Sequence, residues 1–193
     1  MQRTDIIQAA AQIFREKGYH GTSMQDIADA VHLQKASLYY HVSSKQEILL
    51  TILDQALDLL IADMSAVMAE EIPVEEKLRR AVQVYVQRLT RDADLAAVLL
   101  LEHRSLNGKA RQRHIQRRDR YEDLWRSLIK DGIERGVFHA KDERLAVFAL
   151  LGVLNWTVTW YREDGQYTSS ELANFFSSLM LDGLAAGPPE AIS

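Results

Sequence analysis

An all-α fold follows from where proline is absent, from repeated helix-start signatures and from apolar residues that recur at helical spacing. Only Pro73, Pro188 and Pro189 occur, so no residue from Val74 to Gly187 forbids a helix interior. Three pairs have the form of a capping box: Thr22 with Gln25, Ser44 with Glu47, and Thr168 with Glu171. Apolar side chains recur three and four residues apart downstream of these starts. The chain of 193 residues is 47% apolar and 26% charged, the balance of a soluble globular protein with a sizeable core.

Nine helices are expected. The first starts after Thr4, buries a stripe of Ile6, Ile7, Ala10, Ile13 and Phe14, and stops at Gly18. A turn from Gly18 to Gly21 leads to a helix capped by Thr22, with Met24, Ile27, Ala28 and Val31 on its inner face. Val31, His32 and Leu33 break that pattern, and a third helix runs from Gln34 to about His41. Ser44 opens a long fourth helix to about Glu70, whose apolar stripe is broad enough to pack against two bodies. Pro73 suits a first helical turn, so the fifth helix covers Val74 to Thr90. The sixth runs from Ala93 to Ser105 and ends at Asn107-Gly108. The seventh, Lys109 to Arg135, begins with a dense charge run and ends apolar before Gly136. The eighth spans Asp142 to Arg162. After the Asp164-Gly165 turn, Thr168 caps the ninth, and the tail GPPEAIS frays.

Several function classes are excluded by composition. The absence of cysteine removes disulfides, thiolate metal sites and cysteine nucleophiles, and is compatible with a cytoplasmic location. No signal-peptide pattern opens the chain. Leu145 to Tyr161 is uncharged over 17 residues but is short for a span and carries Asn155, Thr157 and Thr159, so it reads as a buried helix and no membrane partner is expected. There is no nucleophile elbow, no phosphate-binding glycine loop and no zinc spacing among the six histidines, so no catalytic residue, metal or cofactor is assigned. Net charge is −4, and residues 1 to 50 hold five cations against five anions. Charge alone therefore carries no nucleic-acid signature.

The motif carries it instead. Thr22 to Lys45 has the grammar of a helix-turn-helix. Leu38 and Val42 share an inward face, which leaves a short polar and aromatic face for base edges and phosphates. Thr22, Asp26-Ile27-Ala28, Ser37-Leu38-Tyr39, His41-Val42, Ser44-Lys45 and Glu47-Ile48-Leu49 together resemble the TetR family of one-component transcriptional regulators. Two positions depart from the family pattern: His32 stands where glycine is usual, and Val42 where phenylalanine is commoner. The resemblance implies a DNA-binding domain over residues 1–45 and a ligand-binding and dimerisation domain over 46–193. It implies that Lys35, Ala36 and Tyr40 face bases, with Gln34 at the start of the same face, and that Thr22, Ser37, Tyr39, His41 and Lys45 touch phosphates.

The eighth helix is apolar nearly all round, so one of its faces needs a cover from outside the chain's own core. The resemblance implies a homodimer built on the last two helices, with Val147, Leu151, Leu154, Val158, Phe175, Phe176, Leu179 and Met180 at the interface. The run Leu151-Gly152, Asn155-Trp156, Trp160-Tyr161 and Gly165 is similar to family members that control fatty-acid or steroid-ring degradation and answer to acyl-CoA thioesters. A ligand of that kind needs an apolar tunnel, an aromatic surface and cations. Asn155, Trp156, Trp160 and Arg104 are the candidates, with Arg111, Arg117 and Arg118 as further cations. The expected function is a repressor that binds a palindromic DNA operator and is released by such an effector. The alternatives are an efflux-pump regulator that senses apolar or cationic drugs and, more distantly, a helical lipid carrier or enzyme.

Overall fold

The computed structural model describes residues 2–185, and the expected frayed tail lies outside the described residues. Among the described residues there are nine α-helices and no strand: α1 (Arg3–Gly21), α2 (Met24–Ala30), α3 (Lys35–Leu38), α4 (Lys45–Ala69), α5 (Val74–Arg91), α6 (Ala93–Ala97), α7 (Gly108–Glu134), α8 (Glu143–Trp160) and α9 (Ser169–Ala185). The order and class match the expectation from sequence. No described helix is long and apolar enough to cross a membrane.

Packing divides the chain into two compact units, and α4 and α7 each contribute residues to both. The first holds residues 1–59 and 92–118. Its core gathers Ile6, Ile7, Phe14, Ile27, Leu38, Ile48, Leu49 and Ile52. The second holds residues 60–91 and 119–193. There α5 buries Leu78, Ala81, Val82, Tyr85, Val86 and Leu89 at helical spacing and packs against α8 and α9. Trp125 is fully enclosed in this second core.

Several boundaries differ from the sequence reading, each for a local reason. The first helix bends at Gly18 (φ 74, ψ 158) and then resumes to Gly21, so the glycine is a kink and not a stop. Thr22 does not cap α2. Its hydroxyl donates to the Gly18 carbonyl at 2.8 Å, and the box closes one residue later, with Ser23 Oγ accepting from Asp26 N–H and Asp26 accepting from Ser23 N–H. The Ser44 box is half realised: Ser44 Oγ accepts Glu47 N–H, but Glu47 reaches back to Ser43. The Thr168–Glu171 box forms with both bonds, at 2.8 and 3.2 Å. The third helix is one turn, after which Tyr40 and His41 bond three residues back and the chain tightens. The sixth is α-helical only to Ala97, widens into a π turn over Val98–Glu102 and closes with a tight turn at His103–Ser105.

Candidate nucleic-acid interface

The reading face is built by a turn that few residues tolerate. His32 adopts φ 54, the left-handed region, which lets Leu33 N–H reach the Ala28 carbonyl at 2.8 Å and redirects the chain into α3. Leu38 (0% exposed) and Val42 (2%) anchor α3 inward. The opposite side is left open: Gln34, Lys35, Ala36, Tyr39, Tyr40 and His41 are exposed, and Ser37 is half-buried. Tyr40 projects furthest, at 90% exposure. A large aromatic left in water on a one-turn helix gives the chain itself no packing energy, which suits a side chain meant for a partner.

Two of the expected phosphate contacts have other duties. Thr22 is 2% exposed, and its hydroxyl is spent on the Gly18 kink. Lys45 curls back so that its Nζ donates to the carbonyls of Tyr19 (2.8 Å) and Thr22 (2.5 Å) and sits 4.3 Å from the Tyr19 ring centroid. It satisfies backbone carbonyls left over at the end of α1. The Asp26 carboxyl is held well below the usual range by the Ser23 hydroxyl and N–H and by Lys17. Glu47 is lowered likewise by the Ser43 hydroxyl and N–H, with Arg3 assisting.

The same unit contains a strap that sequence reasoning missed. Gln46 Nε2 donates to the Tyr19 hydroxyl (3.0 Å) and to the Ser105 carbonyl (2.7 Å), while Ser105 Oγ bonds His20. Arg15 pairs with Asp94 at 2.9 Å. These bonds fasten α1 and the start of α4 to the α6 segment. On α7, Arg113 and Arg117 pair with Asp54, and Arg117 also with Asp58. Burial nevertheless pushes the Asp54 carboxyl up. Nothing in the spacing of Gln46 or Asp54 marks them, because their partners lie about 60 residues away.

The expected effector and dimer residues separate by exposure. Arg104 is exposed and belongs to the first unit, as do Arg111, Arg117 and Arg118; Asn155, Trp156 and Trp160 belong to the second. Asn155 Oδ1 accepts the Tyr85 hydroxyl. Trp156 (66%) and Trp160 (43%) stand on the outer side of α8 with Leu145, Phe148 and Val153. Val147, Leu151, Leu154 and Phe176 lie buried in the chain's own core and cannot form a contact face, which corrects their expected place at the interface. Phe175 and Leu179 are open on α9, and Val158 and Met180 are half-buried. The uncharged stretch is therefore half core and half open face, not a buried helix.

Two family models match the chain: bacterial regulatory proteins of the tetR family over residues 6–52, and the tetracyclin repressor-like C-terminal domain over 71–184. The chain belongs to the TetR family. TetR regulators are DNA-binding and non-enzymatic, in line with the missing catalytic motifs. A repressor from Rhodococcus jostii, KstR2, is 28% identical over 96% of this chain and 92% of its own length. The fatty acid metabolism regulator protein of Bacillus subtilis is 28% identical over 93% of each chain. The structure of the TetR-type neighbour AibR, in complex with isovaleryl coenzyme A and operator DNA, superposes with a TM-score of 0.85 at 27% identity, covering 96% of this chain and 98% of that one. The TetR N-terminal match ends inside α4, so the open face of α3 falls within it, as do Lys45 and Gln46.

Proposed function

We propose that this TetR regulator is a homodimeric repressor that binds a palindromic operator and is released by an acyl-CoA thioester. Residues 1–45 read DNA and residues 46–193 sense and dimerise. The observation that carries the DNA half is the open face of α3, on which Lys35 can donate to guanine O6 or N7 and Tyr40 can pack against a thymine methyl. Ser37, Tyr39 and His41 flank it for phosphates. Lys45 and Thr22 act from behind by holding α1 and α2 in place. Dimerisation is supported by the outer apolar side of α8 and α9, whose Leu145, Phe148, Trp156, Phe175 and Leu179 have no cover within the chain. A two-fold dimer sets the two α3 faces about 34 Å apart, one helical turn of DNA.

The effector reading is supported by the fatty-acid regulator and by the isovaleryl coenzyme A complex of the neighbour. An operator fragment, selected from random duplexes by the purified protein, is titrated in a gel shift with acyl-CoAs of increasing chain length and with the free acids. Release by one range of acyl-CoAs, with the free acids inert, is the expected result. Indifference to every acyl-CoA removes the effector assignment while leaving the regulator intact.

A further inference from the structure

The second unit contains a polar belt that the fold does not need. Tyr85 on α5 and Tyr121 and Trp125 on α7 form an aromatic cluster, with ring centroids 6.1 to 6.4 Å apart. Asn155 on α8 joins it by accepting the Tyr85 hydroxyl. All three rings are buried, Trp125 completely. Yet the Trp125 indole N–H has no acceptor in hydrogen-bond geometry, although it lies beside the Tyr121 hydroxyl. A donor sealed from water without an acceptor is destabilising, and a phenylalanine would fill most of that volume without the penalty. The belt is also unbalanced: Asn155 spends its oxygen on Tyr85, so the amide N–H groups and the indole N–H are donors in want of an acceptor.

An approach to the belt exists in the same unit. A crevice of about 580 Å³ is lined by Asp63, Gln87, Arg88, Arg91, Glu163 and Ser169, among others. Asp63 and Arg88 form a two-pronged ion pair at 2.8 and 2.9 Å. Asp63 acts electrostatically on the buried Tyr121, so the inner wall of the crevice abuts the belt. The charges along this wall balance, two cations against two carboxylates. That suits a chain of amides and hydroxyls and leaves a buried anion without a net partner.

We propose that the crevice admits the uncharged pantetheine arm of an acyl-CoA and that the Trp125 N–H, with the Asn155 amide beside it, donates to the thioester carbonyl. The assignment rests on the acyl-CoA reading above and deepens it: it makes Trp125 the residue that distinguishes a thioester from a free acid. A neutral carbonyl satisfies the orphan donor. A carboxylate would bring an unpaired charge into the same place.

The test compares hexadecanoyl- and decanoyl-CoA with their S-alkyl thioether analogues, which lack only the carbonyl oxygen, by calorimetric titration of the full chain. Wild type is expected to favour thioester over thioether by about tenfold, the worth of one buried hydrogen bond. Trp125→Phe is expected to bind the two alike. If wild type binds both equally, or if Trp125→Phe keeps the tenfold preference, the assignment of Trp125 is overturned while release of DNA by acyl-CoA stands. Free hexadecanoate that binds as tightly as its CoA ester overturns it too. Failure of wild type to bind any acyl-CoA overturns both readings. Should Trp125→Phe not fold, the wild-type ratio decides alone.

Discussion

Replacing Lys45 by methionine separates two roles that one lysine at the start of α4 can play. Methionine keeps most of the apolar stem and removes only the ammonium. In the structure that ammonium makes two charge-assisted bonds, to the carbonyls of Tyr19 and Thr22, and covers the Tyr19 ring. A hydrogen bond to a charged group contributes about 1.5–3 kcal/mol, and an exposed cation–π pair about 0.5–1 kcal/mol. The bonds share one ammonium and are partly solvated, so Lys45→Met should cost about 2–3 kcal/mol. In a chain of this size each kcal/mol moves the midpoint by about 2–4 °C, giving a fall of about 4–12 °C in thermal unfolding. The companion assay is operator affinity against salt. Taking one cation away from a DNA phosphate would lower the logarithmic slope by about 0.9, whereas removing the cap leaves the slope unchanged and weakens binding evenly. An unchanged midpoint together with a slope reduced by about one would refute the capping role and restore Lys45 to the phosphate-binding face.

Other perturbations follow from particular packing. Lys35→Ala combined with Tyr40→Ala should abolish specific operator binding in a gel shift while sedimentation still reports the dimer, because neither side chain supports the core. Trp156→Glu should raise the dimer dissociation constant roughly hundredfold or more by placing an unpaired charge on the covered face, a change that sedimentation velocity measures. Gly132→Ala would set a Cβ 2.0 Å from the ring of the buried Phe138. The gain in helix propensity of about 1 kcal/mol cannot offset displacement of that ring, and urea unfolding should show a net loss of about 2–4 kcal/mol. His114 is 2% exposed, and burial pushes its pKa down from 6.5 to about 4. The unfolded chain therefore binds the extra proton, and stability is lost as pH falls from about 6.5 towards 4. His114→Gln should flatten that part of a stability-against-pH curve, measured at constant salt.

The helix order was legible because proline, capping pairs and periodicity act over a few residues. The misplaced cap at Thr22 shows where such reading stops. Thr22 and Ser23 are both acceptable caps by type, and the choice was made by Gly18, whose kink brings a carbonyl to the Thr22 hydroxyl. The exposed character of Lys35, Tyr39 and Tyr40 was legible from their offset to Leu38 and Val42. The duty of Lys45 was not, since its acceptors lie 23 and 26 residues earlier. Trp125 drew no notice in the sequence, where it reads as one more apolar residue of α7. Only its missing acceptor, a fact about neighbours from other helices, makes it a candidate for recognition.

The sequence by itself determined an all-α chain, a helix-turn-helix near its start with Leu38 and Val42 facing inward, and a helix too apolar for its own core to cover. These are properties of spacing, and spacing is local. Tertiary structure decided which side of α8 stays open, leaving Trp156 outside and enclosing Val147, Leu151 and Leu154. An evenly apolar helix has no intrinsic preference between its faces. The choice falls to whichever neighbour arrives, and here α5 and α9 packed against one face and left the other for a second copy.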